Sequence, residues 1–308
     1  MINIWACCLL ALGQIAIAVN VVAGKHLIDV IPVHIYLCSR YLASTVFLSM
    51  FMLLLKQGWT EKQAQSKKFD KRDWLLLTLQ AFTGGFLFNV LFFWGIQSTT
   101  AISAGIISSS LPAILAICAF FCLGEKIKKW KWMGIVLAMV GILVINLDNP
   151  AGKLGIVSFW GNFIILMAMI PEALYTIFNK FTSKRITTLG AATIVNFITF
   201  LMLVPFAFYD WATVGMGQGS FEEWMLLIFT GFANLFFFWF WAKGLIHIPA
   251  STAAIFTSVL PVATTLLAWA FLHETLGEYD MLGMSLVLLS IFIGTGWLPK
   301  LFARRVRA

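Results

Sequence analysis

A chain of 308 residues that is 61% hydrophobic and only 11% charged is no ordinary soluble domain, in which roughly 45–50% and 25% are usual. Its net charge of +8 raises nucleic acid as a partner, but the basic residues sit in short segments between apolar runs and form no stripe, which argues against one. The five cysteines, Cys7, Cys8, Cys38, Cys118 and Cys122, fall in apolar runs with no CxxC pair and read as small buried apolar residues.

Apolar stretches of about 18 residues are read as membrane spans, and ten follow one another along the chain. The first, Ile4–Val22, contains Ala16-Ile17-Ala18, which imitates a signal-peptidase site. No basic segment precedes it, so it is expected to be retained as a span. Asn20 and Lys25 close it. The second, Val33–Leu55, carries Arg40, and the third, Trp74–Ile96, carries Asn89 and Trp94. The fourth, Ile102–Leu123, has Ser108, Ser109 and Pro112 near its middle; the fifth, Trp132–Leu147, is the shortest. Phe159–Phe178 follows with Glu172 next to Pro171, and Asn179 and Lys180 lie just beyond it. The remaining four are Leu189–Phe208, Trp224–Leu245 with Asn234, Trp239 and Trp241, Ala250–Leu272 with Thr257, Ser258 and Pro261, and Met281–Leu298.

The chain also repeats itself. A shift of 149 lays Gly95–Ile142 on Gly244–Ile291 with 13 identities in 48 positions, among them Ser109/Ser258, Leu111/Leu260, Pro112/Pro261, Glu125/Glu274 and Gly134/Gly283. A shift of 155 lays the earlier part of the first half on the second and pairs Lys25 with Lys180. Two units are therefore expected, residues 1–149 and 150–308, each with five spans. Five is odd, so the second unit enters the membrane from the opposite side and the repeat is inverted. With the N-terminus in the cytoplasm, 18 of the 21 Lys and Arg lie on the inside, counting Lys243 at the inner end of the eighth span, two (Lys25 and Lys153) outside and one (Arg40) well within a span. That asymmetry puts both termini in the cytoplasm. The segment after the fourth span, Leu123–Lys131, is basic, whereas its copy Leu272–Asp280 is acidic, as opposite faces demand. The expected fold is an all-α polytopic membrane protein with ten transmembrane helices as a 5+5 inverted-topology repeat, a design that supplies two near-equivalent packings.

These residues resemble the drug/metabolite transporter superfamily, in particular its EamA-like ten-helix family. The likeness rests on Asn20 to Lys25, on Pro32 with Arg40 eight residues on, and on the block from Trp94 through Ala101, Leu111-Pro112 and Leu123-Gly-Glu125 to Gly134. The second copy runs Gly244, Ala250, Leu260-Pro261, Leu272-His-Glu274, Gly283, with His273 where the pattern usually has glycine. The resemblance implies a central cavity lined mainly by spans 1, 3, 4, 6, 8 and 9, and export of amino acids or related small metabolites from a bacterial cytoplasm.

Pro112 and Pro261 each remove a backbone donor in mid-span and free the carbonyls of Ser108 and Thr257. In a bilayer such carbonyls must face protein or a wet cavity, so Ser108, Ser109, Pro112, Thr257, Ser258 and Pro261 are cavity candidates. Asn20, Asn89, Asn234, Trp94, Trp239 and Trp241 join them as polar or aromatic groups in spans; interhelical bonding explains any of the amides equally well. Glu172 is the one carboxylate well inside a span, and such residues mark pathways and proton relays; Lys180 or Arg40 could instead hold it. Arg40 could bind a substrate carboxylate, but snorkelling to the outer surface is the plainer reading. Lys25 and Lys180 read as anchors or gates. Glu125 and Glu274 open the fifth and tenth spans and read as helix caps, and Gly134 and Gly141 as close helix packing.

The expected function is a secondary active transporter of the inner membrane, exporting a small metabolite, with an amino acid or analogue favoured and protons as a candidate coupling ion. The alternatives are an uptake or exchange carrier for an organic acid, nucleotide derivative or lipophilic cation, and, behind these, a passive channel. The absence of a P-loop and the placing of His26, His34, His247 and His273 at span ends argue against an ATP-driven pump and an intramembrane enzyme. No cofactor and no metal are expected. The partners are a small-molecule substrate and the lipid bilayer; the sequence leaves the oligomeric state open.

Overall fold

The computed structural model describes residues 4–56, 70–123, 129–145, 153–182, 186–245, 256 and 259–294. The regular structure among them is helical: α1 (Ile4–Leu27), α2 (Val33–Leu54), α3 (Lys71–Ile96), α4 (Ala101–Ser108), α5 (Leu111–Leu123), α6 (Lys129–Ile145), α7 (Lys153–Thr182), α8 (Thr188–Thr213), α9 (Phe221–Leu245), α10 (Val259–Leu272) and α11 (Glu278–Gly294). Six of them, α1, α2, α3, α7, α8 and α9, contain stretches long and apolar enough to cross a membrane.

Helix α2 shows how these helices are organised. Leu42, Val46, Met50 and Leu53 are exposed on one face, at the spacing of successive turns, and large apolar groups there suit contact with lipid. Tyr36, Leu37, Arg40, Tyr41, Ser44, Leu48 and Met52 are buried on the other face. The inward stripe is thus the polar one, the reverse of a soluble helix.

Helix α3 opens with a capping box in which the side chains of Asp70 and Asp73 accept each other's backbone N–H at 2.9 and 3.1 Å. Its middle, Ala81–Leu87, is a π-helix, a widening found most often at functional sites. Close approach locates it there. A Cβ on Gly84 would overlap the Tyr175 ring of α7, and one on Gly85 would overlap the Thr199 hydroxyl of α8.

The fourth span, drawn from the sequence as one run from Ile102 to Leu123, breaks in its middle into two helices. Helix α4 stops at Ser108, Ser109 and Ser110 turn back onto the carbonyls of Ile106 and Ile107 at 3.1 and 2.9 Å, and α5 restarts at Leu111. Pro112 is then the second residue of a new helix, where a missing N–H costs nothing. Thr257 and Ser258 lie outside the described residues, as does Glu125.

Helix α1 packs on α9 and α10, α2 on α8 and α9, α3 on α7 and α8, α4 on α10, α5 on α7, and α6 on α11. Gly134 and Gly141 of α6 and Gly283 and Ser290 of α11 are buried, while Met133, Val136, Met139, Met281 and Leu289 stay exposed. Those two helices therefore meet through small residues. The largest apolar cluster joins α1, α2, α3 and α4 to α7, α8, α9 and α10, with Tyr36 and Phe93 wholly or almost wholly buried within it.

Candidate functional site

Arg40 does not snorkel. It is 7% exposed, and its guanidinium carbon stands 5.5 Å from the ring centroids of Tyr36 and Phe93 and 5.0 Å from that of Tyr41. The three rings offer cation–π attraction from several sides. Nη2 donates to Asn89 Oδ1 at 2.5 Å. Asn89 is itself clamped: Nδ2 reaches Tyr41 Oη at 2.7 Å and the π-helix carbonyls of Gly84 and Gly85 at 2.9 and 2.8 Å. Tyr41 Oη donates to Gly85 O at 3.2 Å, and Thr199 Oγ1 to Ala81 O at 3.3 Å. Side chains thus satisfy carbonyls that the widened helix frees, as an apolar setting requires. Among the described residues no carboxylate lies within 4.0 Å of Arg40, so a buried cation sits among neutral groups. The wholly buried hydroxyl of Tyr36, beside that cation and Thr230, has no hydrogen-bond partner among the described residues.

Glu172 lies on α7, half-buried, and forms no ion pair among the described residues, with Arg40 or any other cation. It stands within electrostatic reach of Tyr41 and Tyr175. Arg40 and Glu172 therefore both act on one tyrosine without pairing with each other. Lys180 follows in the last turns of the same helix.

The break between α4 and α5 collects hydroxyls. Ser108 Oγ donates to Ala104 O at 2.7 Å and Ser109 Oγ to Gly105 O at 3.4 Å. Ser110 on this turn, Thr264 and Thr265 on α10, and Asn20 on α1 are buried and each leaves a side-chain oxygen without a partner among the described residues. Helix α4 meets α10 at Gly105, where an added Cβ would lie 2.8 Å from that of Thr264. Pro261 is buried one turn earlier on α10.

Asn234 Nδ2 bonds Ser44 Oγ at 2.8 Å and Asn196 Oδ1 at 3.0 Å, tying α9 to α2 and α8. Trp94 is 48% exposed, edge-on to His34. Trp239 stacks edge-on against Phe51 with its indole N–H buried and unpartnered among the described residues, and Trp241 packs on Ala6 and Leu10 of α1. Lys25 Nζ donates to Ile96 O at 2.7 Å and so caps the C-terminus of α3. His34 pairs with Asp210 at 2.9 Å and His26 with Glu223 at 3.6 Å, both at helix ends.

Glu274 caps a different helix from the one expected. Its Oε1 accepts from Ala101 N at 2.8 Å and its Oε2 from Ile102 N at 3.0 Å. Thr100 Oγ1 takes Ser103 N at 3.0 Å. The orphan donors at the start of the buried α4 are thereby all paired, whereas α11 starts beyond Glu274 and has Glu278 and Asp280 in its own first turn. His273 beside it adopts φ 54°, the left-handed region that suits glycine, which explains the glycine usual there in the resembling pattern. His273→Gly is expected to stabilise the fold by about 0.5–1 kcal/mol, read as a higher thermal midpoint in detergent.

Tyr36 and Tyr41 were not singled out from the sequence, although they sit at i−4 and i+1 from the in-span arginine, with Tyr36 on its face of α2. Ser44 and Asn196 lacked any such marker.

Long apolar helices packed around buried polar side chains define a multi-pass membrane protein. The model of the EamA-like transporter family matches residues 4–147 and again residues 159–295, and the chain belongs to that family. Its relatives include two Bacillus subtilis (strain 168) proteins. Uncharacterized transporter YetK is 32% identical over 92% of this chain and 84% of its own length, and uncharacterized transporter YoaV is 24% identical over 80% and 82%. A protein of known crystal structure superposes with a TM-score of 0.63 at 13% identity, covering 97% of this chain and 98% of its own, and thus shares the fold.

Proposed function

We propose that this chain is a secondary active transporter of a bacterial inner membrane, exporting an amino acid or close analogue by alternating access between two inverted five-span units. The observation that carries the reading is the helix pairing. Exchanging spans 1 to 5 for spans 6 to 10 turns the α1–α9 contact into α3–α7, the α1–α10 contact into α5–α7, and the α2–α9 contact into α3–α8, and leaves α2–α8, α4–α10 and α6–α11 as they are. A family model that fits each half separately supports the same duplication. Two such units can rock about a shared site without new contacts having to be invented. Glu172, a carboxylate in the membrane with no ion pair among the described residues, is the group to take a proton.

Purified protein in liposomes should carry labelled amino acids saturably, with a rate that responds to a pH gradient, and Glu172→Gln should lose that response. Current without saturation would point to a channel, and an unchanged gradient response in Glu172→Gln would place coupling elsewhere.

A further inference from the structure

Arg40 and Glu172 are charges well inside spans among the described residues, and the repeat does not require either. At the 155-residue shift Arg40 falls on Val195, buried in an apolar cluster with Leu77, Ala81 and Ile186, and Glu172 falls on Ile17. The registration is sound at this point, because Pro32 and Thr187, also 155 apart, occupy the N-cap positions of α2 and α8. Pro112 and Pro261, or Glu125 and Glu274, are paired in the repeat; Arg40 and Glu172 have no such counterpart, so a task that differs between the two halves suits them.

We infer that Arg40 and Glu172 are the two poles of one zwitterion site, Arg40 with the Tyr36 hydroxyl taking a carboxylate and Glu172 taking an ammonium group. This deepens the amino-acid reading and rests on it. A buried guanidinium without an anion is costly. Here aromatic faces and one amide oxygen hold the cation in place while leaving its charge for an arriving anion. The Tyr36 hydroxyl, fully buried beside it and in no hydrogen bond of regular geometry among the described residues, is a donor of the kind a carboxylate's second lone pair takes. Direct pairing of Arg40 with Glu172 would cancel both poles, and no such pair forms among the described residues; Glu172 lies one turn before Tyr175, whose ring presses on Gly84 of the π-helix that clamps Asn89 and, through it, Arg40. Asn89 is a positioning residue: it holds Arg40 and is held by the π-helix. Clamping the arginine before the ligand arrives spares the ordering cost of binding.

The test is competition in liposomes against a labelled amino-acid mixture, with unlabelled amino acids, their carboxamides, which lack the anion, and their N-acetyl forms, which lack the cation. The unmodified protein should favour the zwitterions over both blocked series by about tenfold or more. Arg40→Gln should raise KM for the zwitterions and lose the preference over carboxamides, with Tyr36→Phe reducing it in part. Glu172→Gln should lose the preference over N-acetyl forms while keeping that over carboxamides. The comparison on the unmodified protein decides the matter even where Arg40→Gln fails to fold. Transport of amino acids with carboxamides competing equally well would overturn the two-pole site and leave the amino-acid reading standing; transport of no amino acid would overturn both.

Discussion

Glu274→Gln is expected to loosen the hold of the segment after α10 on α4 and to raise the labelling of a cysteine placed at Ser103 by a membrane-impermeant maleimide about tenfold or more, in a background whose native cysteines are alanine. The carboxylate now accepts from both Ala101 N and Ile102 N, one oxygen each, at 2.8 and 3.0 Å. A carboxamide offers one acceptor, and its NH₂ would face a backbone N–H, so one orphan donor of a buried helix end goes unpaired and the favourable charge–dipole interaction is lost. Such changes are worth about 1–3 kcal/mol, which as a shift between closed and open arrangements is roughly five- to 150-fold. The bond joins residues 173 and 172 apart in the chain, one from each half, so a cycle in which the halves part at this end must break it at every turnover. Faster labelling with an unchanged thermal midpoint would mark a latch. A lower midpoint with unchanged labelling would make the contact purely structural and sink the latch.

That bond also shows where sequence reading reached and where it stopped. Glu274 stood out because it is duplicated, and helix capping was the right chemistry, but the nearest helix in the chain was taken for its target. Sequence distance says nothing of which helix end lies across the membrane core, and the N-terminus of α4, starved of acceptors, is the stronger attractor. Pro112 marked the interruption of the fourth span correctly in position and too weakly in degree, since two serines before it offered the chain a turn. Arg40 was visible as a charge, yet its fate depended on Phe93 and Asn89, more than 45 residues away, and on a π-helix that only the Gly84-Gly85 pair announces. The aromatic groups at Tyr36 and Tyr41 were in plain sight; an arginine flanked by tyrosine at i−4 and i+1 on the inward stripe of a helix is better read as caged than as snorkelling. Family membership needed none of this detail, because it rests on spacing of Gly, Pro and Glu across both halves.

The second large effect is expected at Asn89. Asn89→Leu keeps the branched shape and removes every bond the amide makes: the acceptor for Arg40 Nη2 and the donor contacts to Tyr41 Oη, Gly84 O and Gly85 O. Gly85 O retains Tyr41, but Gly84 O would lose its side-chain donor and the arginine its one fixed oxygen. An unpaired buried carbonyl costs about 1–3 kcal/mol, and a lost hydrogen bond to a buried charge about 1.5–3 kcal/mol. Taken together these reach a large part of the roughly 5–15 kcal/mol that holds a typical domain folded. Asn89→Leu should therefore give little monodisperse protein in detergent. Asn89→Asp separates the two contributions, because it keeps an oxygen for Arg40 and adds a counter-charge while losing the donors to the π-helix. It should fold better than Asn89→Leu and worse than the parent. If the cation is reserved for a substrate anion, the same variant should fill it with its own carboxylate and cut binding of zwitterions while leaving carboxamides untouched. An Asn89→Leu protein as stable as the parent would mean that the π-helix and Arg40 are held by something other than this amide.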